Sequence, residues 1–325
     1  MKKMKKVIAG LLACAMLLSG CSAAGNDKDK DPMAPRTYQV ASGSSSGAYY
    51  LQITPIAALW ENLDFITSCR VQASSGALEN TVVISKGMAD AGLIDAFAYF
   101  AAVDGTEPYK NSYGGFSAIA AGAPSIATIV VKENSDIHTL ADLKGHSIAV
   151  GLAGSGAEFE ERFILEALGM TYSDFTQVEQ IGIGPGFTAF QDGKVDAVIA
   201  LMGAGNSNLV ETMTNVDVRI IPFSDEEKKT VMEKCAFLVD DMIPGGSYAG
   251  IDEDINSVSI PAILVVSDSL PDEAVYQMTE TVYDNIETLK ATNKNFNNWS
   301  FGPHCAGNVP LHPGAVKFYE DRGIN

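Results

Sequence analysis

Beyond its N-terminal run the chain has no stretch long and apolar enough to form a membrane-crossing helix. Basic residues are scarce as well: 22 Lys and Arg stand against 40 Asp and Glu, a formal net charge of −18. That balance offers no electrostatic footprint for nucleic acid and no basic surface for an anionic membrane. Arginine is rarer still after residue 36, where only Arg70, Arg162, Arg219 and Arg322 occur. A bidentate carboxylate clamp therefore has few candidates, and an anion site would lean on backbone donors. The cysteines include no CxxC pair, and the histidines His138, His146, His304 and His312 form no HExxH or other close ligand pair. No metal or redox centre is expected, and no cofactor. With Cys14 and Cys21 set aside, Cys69, Cys235 and Cys305 remain, an odd set that allows at most one bridge.

What is present begins with a leader. Lys2, Lys3, Lys5 and Lys6 precede an apolar run over 7–18, too short to span a bilayer permanently. Leu18-Ser19-Gly20-Cys21 follows, resembling the lipobox at which bacterial lipoproteins are cleaved and diacylated on the new N-terminal cysteine. The expectation is a signal peptide over 1–20, a lipid anchor on Cys21 and an extracytoplasmic location at the membrane face. Removing the four leader lysines leaves 18 basic residues against 40 acidic ones, a formal charge of −22. Residues 21–36, rich in Asp, Lys, Asn, Gly and Pro, have the character of a flexible tether. The remaining length exceeds one typical core, so two lobes are expected.

Apolar patterns alternate throughout the folded part. Residues 38–41, 70–73 and 91–94 read as strands, with helices at 49–62 and 78–86 between them. The order returns further on, with strands at 147–150, 178–181 and 197–201 and helices at 158–168 and 187–191. Each half also carries a Gly-x-x-Asp-Ala phrase entering an apolar run, Gly87 to Ala91 and Gly193 to Ala197. A helix ending at glycine and turning through aspartate into a strand fits both copies. Four small-residue loops join strand to helix: 42–47, 74–77, 151–156 and 203–206. In open α/β sheets such loops lie at the carboxyl ends of strands, where ligands bind, and the helix N-termini behind them favour anions.

These residues resemble the TAXI family of TRAP-transporter solute receptors. The matching phrases are Gly47-Ala48-Tyr49-Tyr50, Gly76 to Asn80, Ala98-Tyr99-Phe100, Leu140 to Gly145 and Val150-Gly151 with Gly154-Ser155-Gly156. Later come Asp196-Ala197, Pro244 to Tyr248, Ser259 to Ala262 and Pro310 to Ala315, so the phrases run in order through the whole folded part. The resemblance implies an α/β, type II periplasmic-binding-protein fold, two lobes joined by a two-crossing hinge. Lobe 1 is expected over 37–129 and 247–325, and lobe 2 over 130–246. It implies a non-enzymatic receptor that holds a small carboxylate, an amino acid or dicarboxylate, between the lobes for a TRAP membrane permease.

The candidate ligand-binding residues are Ser45, Gly47, Ala48, Tyr49, Tyr50, Ser75, Gly76, Ala77, Ser155, Gly156, Ala157, Gly203, Ser247 and Tyr248; by matching position the resemblance carries over Ser45, Tyr49, Tyr50 and Ser155, and Tyr248 could equally hold a hinge or rim role. Helix N-termini at Gly47, Gly76 and Gly156 would donate to the anion, and Ser45 and Ser155 would add hydroxyl bonds. One of Tyr49 and Tyr50 would pack against the carbon skeleton, since neighbours on a helix cannot both face a pocket. The chain departs from the family at Ser45, where threonine is usual, and with Leu51 in place of proline, Ile94-Asp95-Ala96 in place of Gln-Ser-Asp, and Ala157 in place of threonine. Other functions remain open. Gly43-Ser44-Ser45-Ser46-Gly47 fits the G-x-S-x-G nucleophile elbow of serine hydrolases, and the same clamp could serve an ATP-driven permease or a sensor kinase.

Overall fold

A computed structural model describes residues 31–43, 45 and 48–325. The expected anchor Cys21, the leader and most of the tether lie outside the described residues, as does Gly47. From Met33 onward the chain forms one unit, built on two β-sheets.

The chain enters the first sheet through β1 (Arg36–Ala41), α1 (Ala48–Trp60), β2 (Ile66–Gln72), α2 (Ala77–Ser85), β3 (Ala91–Asp95), α3 (Ala96–Asp104) and β4 (Phe116–Ala121). It then passes into the second sheet with β5 (Ser125–Lys132), β6 (Ser147–Val150), α4 (Gly156–Ala167), β7 (Gln177–Gln180), α5 (Ile183–Gln191) and β8 (Ala197–Met202). That half is completed by α6 (Ser207–Met213), β9 (Val218–Ile220), α7 (Asp225–Lys234), β10 (Val239–Ile243) and β11 (Ile255–Ile260). The return to the first sheet is β12 (Ala262–Ser267), followed by α8 (Asp272–Asp284), α9 (Ile286–Thr292) and α10 (Pro313–Arg322).

Strand order is β2-β1-β3-β12-β4 in the first sheet and β10-β11-β5-β8-β6-β7 in the second, with β9 paired to β5. The repeat read from the sequence is a repeat of topology. In each half the first strand of a βαβαβ unit lies between the second and third, all parallel. The shared aspartates do the same work twice. Asp90 accepts the Gln39 amide at 2.7 Å, and Asp196 accepts the Ser147 amide at 2.8 Å. Each carboxylate thus ties the entrance of the third strand to a backbone amide of the first. Gly87 and Gly193, at φ 67° and 71°, make the left-handed helix exits that put those aspartates in place.

The two sheets exchange the chain twice, at 122–124 and at Pro261. The crossing segments run side by side: Ile260 pairs with Ser125, and the Gly122 amide donates to the Ala262 carbonyl at 2.7 Å. The second sheet therefore spans 125–260, and the expected lobe limits at 130 and 246 fall inside that span. A helical core of Ile53, Ile56, Trp60, Met278 and Phe318 backs one face of the first sheet. Phe187, Phe190 and Leu209 back the second. His312, 2 % exposed, caps α10, its Nδ1 accepting the Gly314 amide at 3.1 Å. Cys69, Cys235 and Cys305 are all unbridged. Among the described residues no helix is long and apolar enough to cross a membrane.

Candidate functional site

Strand register brings the predicted loops to one place. Ala262, next to the crossing, pairs with Asp95 at the carboxyl end of β3, while Met202 at the carboxyl end of β8 pairs with Ile126 beside the other crossing. The parallel strands of both sheets therefore end at the hinge, and the helices that follow begin there. An ideal Cβ on Gly156, which opens α4, would stand 4.0 Å from Leu78 Cγ in the first turn of α2. The N-terminal turns of two helices, one per lobe, thus approach van der Waals contact.

In the first lobe Asn80 organises the loops. Fully buried, it donates to the carbonyls of Ser42 at 2.5 Å and Leu93 at 2.6 Å and accepts from Ser74 Oγ at 2.7 Å. Gly76, at φ 116°, follows in a conformation that a side chain would strain. Ser75 donates through both its amide and its hydroxyl to Glu79, which lowers that carboxyl's pKa. Asp95 caps α3, accepting the Ala98 amide on Oδ1 at 2.7 Å. Ala77 is partly covered at the start of α2, and Ser45 and Ala48 are exposed at the start of α1.

In the second lobe Ser155 is the N-cap of α4, its hydroxyl accepting the Glu158 amide at 3.2 Å. Gly151 has no room for a Cβ, which would fall 2.5 Å from the Glu158 amide nitrogen. Its own amide donates to Glu161 Oε2 at 2.6 Å, and Leu201 donates to the other oxygen at 3.3 Å. Burial nevertheless pushes the Glu161 pKa up to about 8. Gly203 is exposed. Tyr248 lies in the core of this lobe, 3 % exposed, its hydroxyl accepting the Asn206 amide at 3.3 Å. Tyr248 thus shapes the loop after β8 from beneath, while the neighbouring Ser247 carbonyl would stand 3.6 Å from a Cβ on Gly205.

Of the tyrosine pair, Tyr49 is the one turned to the junction. Burial raises its phenol pKa well above the ordinary value, with the charges of Asp95 and Glu160 adding to the effect. Asp95 belongs to the first lobe and Glu160 to the second, so Tyr49 marks where they meet. Sequence reasoning singled out neither carboxylate as a site residue. Asp95 stood at a position noted as a departure from the family, and that departure was the available signal. Glu160 is one of three glutamates in the N-terminal half of α4, where acidic side chains ordinarily face solvent, so it carried none.

On one flank the lobes touch through aromatic side chains. Phe97 of α3 meets Phe159, Phe163 and Phe237 at ring-centroid distances of 6.3, 5.9 and 5.3 Å. Arg162 of α4 reaches Glu107 of the first lobe at 3.2 Å. A groove of about 910 Å³ lined by Arg219, Phe223 and Asp252 lies at the far end of the second sheet, where β9 pairs with the Lys132 end of β5. It belongs to neither helix cluster. No histidine hydrogen-bonds Ser45 among the described residues. His146, held 3.7 Å from Asp136 and from Asp196, sits at the opposite end of β6.

Two α/β lobes, two crossings and strand-to-helix loops gathered at the carboxyl ends of the parallel strands match the fold of the periplasmic solute-binding proteins. Residues 40–323 match the NMT1-like family, and the chain belongs to it. Among solved structures it is similar to a TctC solute-binding protein from Polaromonas, with 14% identity, TM-score 0.58 and coverage of 90% of this chain and 98% of that one. A Xanthomonas citri protein bound to chloride ion matches at 12% identity and TM-score 0.54, over 88% of this chain and 95% of that one. PhnD1 from Prochlorococcus marinus, in complex with methylphosphonate, matches at 10% identity and TM-score 0.52, over 90% and 99%.

Proposed function

We propose that the protein is an extracytoplasmic receptor that captures one small solute between its lobes and delivers it to a membrane permease. The observation that carries this reading is the convergence at the hinge of loops from both lobes, with the first turns of α2 and α4 about to touch. A solute bound there contacts both lobes at once and so favours their approach, to the extent that it binds the closed arrangement better. We take the first lobe as 37–121 with 262–325 and the second as 125–260, following the sheets. The resemblance to TAXI receptors supports a TRAP permease as the partner and a carboxylate-bearing metabolite as cargo. Ser45, Gly47, Ala48, Ser75, Gly76, Ala77, Ser155, Gly156, Ala157 and Gly203 supply the wall, with Tyr49 as its aromatic member. Tyr50, Ser247 and Tyr248 support it from behind. Anchoring by a lipid on Cys21 keeps the receptor at the membrane face.

The test is thermal unfolding of the ligand-stripped protein against amino acids, dicarboxylates, keto acids, sugars and polyamines. A native-state ligand at a hundred times its Kd adds about 2.7 kcal/mol of stability, so one solute class should raise the midpoint by several degrees. No shift from any class, together with stoichiometric labelling of Ser45 by a fluorophosphonate, would replace the receptor with a hydrolase.

A further inference from the structure

The N-terminal half of α4 buries three glutamates, Glu158, Glu160 and Glu161, at 4, 6 and 1 % exposure. Buried carboxylates are ordinarily paired or hydrogen-bonded, and two of these are. Glu158 accepts from the Tyr172 hydroxyl at 2.8 Å and lies 3.4 Å from Arg162 Nε; Glu161 takes two backbone amides. Glu160 is the exception. No donor among the described residues hydrogen-bonds it and no Lys, Arg or His pairs with it, although it is the one that faces the other lobe. Its Oε1 lies 3.9 Å from where a Cβ on Gly156 would stand, beside Leu78 of α2. The charge it senses from across the junction is that of Asp95. Asp95 spends Oδ1 on the Ala98 amide, and its other oxygen has no partner among the described residues.

Asp95 at the carboxyl end of β3, beside the crossing, and the buried Glu160 of α4, beside Leu78, therefore bring two carboxylates from opposite lobes to the junction, near enough for their charges to act on each other and on Tyr49, with no cation paired to either. Meanwhile several of the amides that an anion would use are taken: Ser75 by Glu79, Gly76 by Ser74 and Gly151 by Glu161. We propose that Asp95 and Glu160, with Tyr49, form a subsite for a protonated amine of the bound solute. The missing counter-charge is brought by the ligand, and the subsite is complete only when both lobes contribute. The raised pKa of each carboxyl in the absence of a cation, caused chiefly by burial, agrees with that geometry. The proposal rests on the receptor reading and narrows the cargo to solutes bearing a basic nitrogen, α-amino acids and diamines above dicarboxylates. In an amino acid the carboxylate would still have the first-turn amides of Gly156 and Ala157.

Isothermal titration at pH 7 with pairs differing by oxygen for nitrogen tests it: L-alanine and L-lactate, L-glutamate and 2-hydroxyglutarate, putrescine and 1,4-butanediol. The amine of at least one pair should bind about thirty-fold or more tighter than its oxygen counterpart, the scale set by leaving a buried charge unpaired. Glu160→Gln and Asp95→Asn should each bring that ratio towards one. In the ligand-free protein Glu160→Gln should raise the unfolding midpoint, because it removes an unpaired charge at 6 % exposure. A ratio near one in the unsubstituted protein, a ratio untouched by the substitutions, or a fall in the Glu160→Gln midpoint would overturn the subsite. Binding of a solute without basic nitrogen, with every amine silent, would overturn it too while leaving the receptor intact. Absence of binding by any small solute would remove both.

Discussion

Glu161 shows what burial does to a carboxyl even when it is well bonded. Two backbone amides stabilise its charged form, yet removal from water dominates and its pKa is pushed up to about 8 from an ordinary 4.5. Between those values the folded chain holds a proton that the unfolded chain has released. This contribution is therefore complete below about pH 4.5 and is lost as pH rises through about 8. Asp95 and Glu160 are shifted in the same direction, so the protein as a whole should weaken across that window. Glu161→Gln should lower stability where the acid is protonated, since its amide group meets one backbone N–H. It should also remove up to about 1.4 kcal/mol per pH unit from the slope. Urea unfolding from pH 5 to 9 reads both effects. A variant slope equal to that of the unsubstituted protein would show that Glu161 does not titrate in the folded state.

Among the elements, the βαβαβ units depend on side chains that bind loop to strand rather than on helix propensity. Asn80 closes the carboxyl ends of β1 and β3 with three hydrogen bonds at no exposure. Asn80→Ala removes all three bonds and takes the side-chain donor from the Leu93 carbonyl, while Ser74 Oγ still donates to the Ser42 carbonyl at 3.1 Å, so the substitution should cost about 2 kcal/mol. Denaturant unfolding should show that loss, and a change below about 1 kcal/mol would mean that water replaces the amide. The alternation of strands and helices around Asn80 was legible because the buried parallel strands hold short unbroken apolar runs, 91–94 and 197–201. The repeated Gly-x-x-Asp-Ala phrase was legible for a physical reason too: both copies need a left-handed glycine and a carboxylate aimed at a strand amide. The last helix begins at a sequence-local signal, His312 as cap with Pro313 at the first helical position. What escaped sequence reading was polar and long-range. Nothing local separates Glu160 from Glu158 or Glu161; only the arrival of α2 and Asp95 from the other lobe makes one of the three unpaired. Of the helix-start amides expected to serve an anion, that of Gly76 is taken by Ser74 Oγ, an acceptor that pattern reading could not place, and Ser155 caps its own helix.

At the scale of the whole molecule, two sheets share an antiparallel pair of crossing segments and a flank of rings centred on Phe97. A pair of crossings restricts the lobes to hinge motion, and the aromatic flank limits how far they part. The central claim is that one solute is held by both lobes at the hinge. Hydrogen–deuterium exchange, with and without the solute that most raises the unfolding midpoint, tests it directly. The account predicts slowed exchange in 74–80 and 95–98 of the first lobe together with 151–161 of the second. Protection confined to one lobe, or centred on the distant groove of 218–223 and 250–256, would contradict it.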